Sequence, residues 1–196
     1  MYKAQMKLQK VVCLLTLCAG AIVFIYSLGI MTDLFDLLYN QIPDPEELDK
    51  AKVTGARIYY DMQPFNKQLL RCGIVLILAA CTLMITNTQK RRRYYLGNYV
   101  TTALNCGLDI AAMVWIHIQV AAYKTRYLTT VDFTQLRRRT ERLGIYTEST
   151  FWFDIHFAVC AILLLSALLL IMNLVFKLLL MHGESKLLSE GKAVSL

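Results

Sequence analysis

The sequence predicts an all-α fold, an integral membrane four-helix bundle with short amphipathic helices in its first and third connections. Two compositional observations support this prediction. Of the 196 residues, 57% are hydrophobic and only 18% are charged, whereas soluble domains have about 45–50% apolar and about 25% charged residues. The apolar residues are also concentrated in four long runs. Because backbone polar groups need partners inside lipid, we interpret these runs as helices.

Each span needs about 20 apolar residues to cross about 30 Å of hydrocarbon. The predicted spans cover about residues 11–31, 69–86, 100–122 and 151–180. The second run is short, because its uncharged part lies between Arg71 and Lys90. Either Arg71 extends its charge toward water, or this helix begins earlier, near Phe65.

The basic residues near the helix ends indicate the orientation. The two termini and the second connection carry 10 of the 21 Lys and Arg residues in short segments, and the first and third connections carry the other 11 in longer ones. The first set is therefore denser in basic residues, and this higher density predicts that both termini lie in the cytoplasm of a plasma membrane protein. The net charge of +7 suits a lipid bilayer with anionic headgroups. The basic residues flank spans and form no separate domain, so nucleic acid is not an expected partner.

The first connection contains the pattern of a helix start, with Asp44 as N-cap and Pro45 at the first helical position. Apolar residues then recur at helical spacing as far as Met62. The sequence therefore predicts an amphipathic helix that ends before Pro64. We assign residues 1–182 to one membrane domain and 183–196 to a mobile C-terminal tail.

The third connection predicts a basic amphipathic helix. Its basic residues are Arg137, Arg138, Arg139 and Arg142. Such a helix can be a solvated charged face packed on the neighbouring connection, or it can bind lipid or a partner. Both interpretations stay open from the sequence.

The third span carries an intramembrane polar stripe. The stripe comprises Thr101, Asn105, Asp109 and Gln119, with His117 nearby. A charge at the bilayer centre costs about 3 kcal/mol, so Asp109 must be protonated, paired or in a wet cavity. Three hypotheses follow: hydrogen bonding between helices, a proton or ion pathway, or a docking site for a larger membrane subunit.

Roughly opposite the stripe, the third span has small residues at every fourth position. This helix-packing face consists of Ala103, Gly107 and Ala111. Small residues let another helix approach closely. We therefore expect the third span to be the central helix of the bundle or of an oligomer.

The sequence offers few other residues that could form a catalytic, haem or metal site. The six cysteines lie within or beside the spans, without a C-x-x-C pair, and no catalytic or phosphate-binding motif occurs. His117 and His156 reach a similar depth on neighbouring spans, as two ligands of a b-type haem would, but they also suit an interfacial aromatic belt. A zinc site needs three or four converging ligands. The sequence predicts no catalytic residue, cofactor or metal.

These observations predict a non-enzymatic accessory or scaffold subunit of a membrane complex. Its expected partners are the bilayer and another membrane protein or a second copy of the chain. The alternative is a small transporter or channel-like protein that moves protons or ions along Asn105, Asp109 and Gln119.

Overall fold

The computed structural model describes residues 2–30, 54–87, 95–135 and 148–193, together with Glu46 and Lys52. This part of the chain contains four long helices and no strand. The helices are α1 (Tyr2–Gly29), α2 (Ile58–Asn87), α3 (Tyr95–Thr130) and α4 (Phe151–Ala193). The all-α prediction is therefore confirmed for these residues.

Each helix contains a segment long and apolar enough to cross a membrane. The segments are Lys7–Gly29, Ile58–Asn87, Leu96–Thr130 and Phe151–His182. Each segment overlaps one predicted span. The helices are longer than a bilayer needs, since the 43 residues of α4 extend about 65 Å at 1.5 Å per residue. Four helices suited to spanning a membrane indicate a membrane protein.

Sequential helices pack side by side, and α1 also packs against α4. The contacts run in opposite directions along neighbouring helices. Phe24 of α1 lies against Gly73 of α2, whereas Cys13, nearer the start of α1, meets Asn87 at the end of α2. The same antiparallel order holds for α3 and α4, where His117 meets His156 and Thr102 meets Lys177.

The structure corrects the boundary predicted at Pro64. Residues 58–62 do not end a separate helix, because α2 begins at Ile58 and continues through Pro64. Ile58, Met62, Phe65 and Leu69 are all buried and share one helical face. Burying a large apolar side chain contributes about 1.5–3 kcal/mol, so this face offsets the cost of about 3 kcal/mol of an interior proline.

Most of the predicted helix before Ile58 lies outside the described residues. The same is true of the basic helix with Arg137, Arg138, Arg139 and Arg142. The backbone of residues 183–193 is helical as the end of α4. The mobility of this tail stays a prediction.

One end of the helix assembly is closed by aromatic side chains. Tyr127 is buried against the rings of Tyr59, Phe133 and Phe153. Just before α2, Gly55 has φ of +78°, and a Cβ there would lie 2.5 Å from the Thr130 carbonyl oxygen. Glycine is required at this approach, which fixes the start of α2 against the end of α3.

Candidate functional site

The inward face of α3 forms the candidate site. Asn105 and Asp109 are both 1% exposed, and Ala112 and Ile116 continue the same face. The structure therefore brings the central part of the predicted stripe to the interior. Thr101 and Gln119 are half-buried, and His117 is exposed on another side of the helix. The five residues do not form one continuous polar path in the described part of the chain.

Asp109 faces the Ser166 hydroxyl of α4. Ser166 donates to Thr16 Oγ1 of α1 at 3.1 Å, and Thr16 donates to the Val12 carbonyl at 2.9 Å. The hypothesis of hydrogen bonding between helices expects such a hydroxyl group on another helix beside Asp109.

One oxygen of the acid has no partner. Asp109 Oδ2 is buried and makes no hydrogen bond to the described residues. Asp109 lies 11 residues along α3 from Asn98, or about 16 Å at 1.5 Å per residue. Asn98 lies near one end of the segment Leu96–Thr130, which is long and apolar enough to span a membrane, so the acid lies well inside this segment.

Asn105 and Thr101 join α3 to α2. The Asn105 amide donates to the Ala79 carbonyl at 3.1 Å and to the Thr101 carbonyl at 2.8 Å. The Thr101 hydroxyl lies 3.0 Å from that of Thr86. These side chains bond both to their own helix and to the neighbouring one, and the bonds between helices hold α3 against α2.

A second polar cluster lies where α1 and α3 begin and α4 leaves the membrane. The Lys177 ammonium, on a residue only 4% exposed, donates to Asn98 Oδ1 and contacts Thr102 Oγ1 at 3.5 Å. Gln9 also donates to Asn98 Oδ1, at 3.1 Å, and Asn98 donates to Thr86 Oγ1 at 3.2 Å. No carboxylate among the described residues pairs with Lys177, so neutral oxygens hold this cation.

Sequence reasoning missed this cluster. It treated Lys177 as a charge that marks the end of a span. The available signal was Asn173, one helical turn earlier in the same apolar run and also buried. Two polar residues four positions apart share a helix face, which indicates an inward orientation.

The two histidines meet at the opposite end of α3. His117 Nδ1 lies 3.2 Å from His156 Nε2, and the rings are stacked with centroids 5.3 Å apart. The expectation of similar depth is therefore correct. A haem iron between the rings would hold its two nitrogens about 4 Å apart, given metal–nitrogen bonds of about 2 Å. The direct contact is too short for that arrangement.

The predicted packing face points away from the other helices. Ala103, Gly107 and Ala111 are exposed, and a Cβ on Gly107 would have no neighbour within 4 Å. Within the described chain, α3 packs through its polar face, and a central place for α3 in an oligomer stays a prediction. The close helix contact lies elsewhere, at Gly20 and Gly73 between α1 and α2.

Comparison with known proteins adds no relative: no protein family, no curated protein and no solved structure matches the chain.

Proposed function

We propose that the protein is a non-enzymatic accessory or scaffold subunit of a membrane complex. In this proposal it is a four-helix bundle in the plasma membrane with both termini in the cytoplasm. The observation that carries the proposal is the outward face of α3. It combines exposed Ala103, Gly107 and Ala111 with exposed Val100 and Leu104.

The two faces of α3 differ in what they contact. The polar face is occupied by contacts within the chain, through Asn105 to α2 and Asp109 to α4. The opposite face has small residues at helical spacing and open space above Gly107. In lipid, such faces favour close approach of a further helix. The face suits a transmembrane helix of another subunit or of a second copy.

Purification in a mild detergent tests this proposal. We expect the wild-type chain to be isolated with a stoichiometric membrane partner or as a homo-oligomer. Gly107→Leu fills the open space and should weaken that association about tenfold or more, as a loss of about 1.4 kcal/mol implies. Ala161→Leu is the matched control, because Ala161 is exposed on α4. A wild-type monomer without a partner contradicts the proposal.

The unpartnered Oδ2 of Asp109 favours a second candidate, a proton or ion transporter. In this proposal the buried acid exchanges its proton with an ion or with water. Reconstitution in liposomes tests it, since Asp109→Asn should abolish flux while the protein stays folded. Absent flux in the wild type, or equal flux in the variant, rejects this candidate.

A further inference from the structure

The contact between His117 and His156 has the geometry of two ligands on one metal ion. Zinc–nitrogen bonds to histidine are about 2.0–2.1 Å long. Two such bonds separated by the observed nitrogen distance of 3.2 Å enclose an angle of about 100–105° at the ion. This angle lies between the values of square and tetrahedral coordination. The two nitrogens therefore stand at a separation that one ion can bridge.

The tautomer of His156 also suits metal binding. Its Nδ1 lies 2.5 Å from the Phe153 carbonyl oxygen, so Nδ1 carries a hydrogen and donates it. Nε2 is then left with a free lone pair, directed at His117. Histidine ligands commonly donate their second ring nitrogen to a carbonyl or a carboxylate, which fixes the ring. Phe153 provides this support through the backbone of α4 itself.

The pair is accessible from one side. His156 is 1% exposed, whereas His117 is exposed, so its ring has room to turn and present a lone pair. His117 lies 19 residues along α3 from Asn98, about 28 Å at 1.5 Å per residue. This distance matches the hydrocarbon thickness. Trp115 and Trp152 lie near the same level, as residues of a membrane–water interface do.

We propose that His117 and His156 bind one divalent transition-metal ion of the class that prefers imidazole, such as Cu²⁺ or Zn²⁺. The ion replaces the direct hydrogen bond and is held by His117 Nδ1 and His156 Nε2. For this, neutral His117 moves its hydrogen from Nδ1 to Nε2, and His156 keeps its own on Nδ1. No third His, Cys, Asp or Glu joins the pair among the described residues, so water completes the coordination.

Two protein ligands are fewer than the three or four that hold a resident zinc ion, so the ion would be bound exchangeably. The ion would link α3 to α4 at their exposed end, next to the ion pair in which Lys124 contacts Asp154 at 2.5 Å. The inference is independent of the proposed scaffold function.

Copper binding to the full chain in lipid nanodiscs, without a polyhistidine tag, tests the proposal. Titration with Cu²⁺ should give one ion per chain, and the electron paramagnetic resonance spectrum should show coupling to imidazole nitrogen. His117→Ala should weaken binding at least about tenfold, since loss of even an outer-shell partner costs about 10–100-fold. Zn²⁺ should compete for the site, whereas Mg²⁺, which prefers oxygen ligands, should not.

His182→Ala is the matched control. The chain has three histidines, and His182 is exposed at the far end of α4. We expect His182→Ala to bind copper as the wild type does. The proposal is overturned if the wild type binds no copper, if His117→Ala binds it equally well, or if His182→Ala loses it. His117→Ala also removes the contact with the buried His156, so thermal unfolding of each variant without copper is measured as well, which separates lost binding from lost folding.

Discussion

The contact between α1 and α2 and the contacts of α3 show two ways of holding helices together in lipid. At the first, glycines let the backbones touch. A Cβ on Gly73 would lie 2.7 Å from the Phe24 backbone nitrogen, and one on Gly20 would lie 2.9 Å from that of Ile77. This contact depends on the absence of side-chain atoms, so it has no room for one more methyl group.

α3 is joined to its neighbours by polar side chains. Asn105 bonds to α2, Asp109 faces α4, and Asn98 connects Gln9 with Lys177. Hydrogen bonds between membrane helices average only about 0.6 kcal/mol, because the separated helices also find partners. The loss of one bond should therefore be graded and small, except where a buried cation depends on it.

That exception gives the largest expected effect. Among the described residues, Asn98→Leu leaves the buried Lys177 ammonium with the Thr102 hydroxyl 3.5 Å away and the centre of the Tyr99 ring 5.9 Å away. A buried charge without a hydrogen-bond partner costs more than the roughly 1–3 kcal/mol of an unpaired neutral polar group. We therefore expect a loss of about 3 kcal/mol in the free energy of unfolding. Unfolding in mixed detergent and sodium dodecyl sulfate, followed by circular dichroism, measures it.

A second substitution separates charge from packing. Lys177→Met removes the ammonium and keeps most of the apolar stem. If the stranded charge causes the loss, Asn98→Leu combined with Lys177→Met should be more stable than Asn98→Leu alone. A double variant that is less stable would show that Asn98 acts through Gln9 and Thr86, and the charge argument would be wrong.

The glycine contact gives the next largest effect. In Gly73→Ala the added methyl group meets backbone atoms of Phe24, which cannot move aside as a side chain can. We expect a loss of about 1–3 kcal/mol, as for other over-packed sites, measured by the same unfolding assay. Gly97→Ala is the control, because a Cβ there meets nothing within 4 Å. Equal stability of the two variants would contradict the close contact.

Much of this architecture could be predicted from the sequence, because long hydrophobic runs identify the segments that lie in lipid. The bilayer requires about 20 apolar residues per span, and the structure has four helices that are long and apolar enough to span it. The helix end predicted before Pro64 is wrong because it rests on a local rule, that proline ends helices. This rule takes no account of the burial of Ile58 and Phe65 on either side of Pro64.

The candidate site was predictable only in part. Helical spacing correctly placed Asn105 and Asp109 on one face, since the angle between residues is a local property. It could not show which helix stands opposite. Spacing therefore identified Gly107 as a packing residue, although Gly73 makes the contact within the chain. The role of Lys177 likewise depends on Asn98, which is 79 residues away in the sequence.

A smaller effect is expected at Asp109. Asp109→Leu removes the polar contact with Ser166, but Ser166 keeps its bond to Thr16. The loss should be about 0.6 kcal/mol, the average for one hydrogen bond in a membrane. Asp109→Asn should be tolerated, because the amide keeps the capacity to form a hydrogen bond with Ser166. The same unfolding assay measures both, and a severe loss in Asp109→Asn would show that the acid itself is needed for folding.

The smallest effect on the chain itself is expected at Gly107. Its Cβ position is open, so Gly107→Ala should lower the free energy of unfolding of the detergent-solubilised monomer by no more than about 0.5 kcal/mol, because the added methyl group meets no other atom and alanine favours a helix more than glycine does. The same methyl group that disrupts the α1–α2 contact from Gly73 should therefore cause almost no destabilisation here. Unfolding of a dilute sample, where any association is broken, measures this difference directly. If Gly107→Ala destabilises the dilute chain as much as Gly73→Ala does, then the face is already packed within the chain, and both the contrast and the proposed docking face fail together.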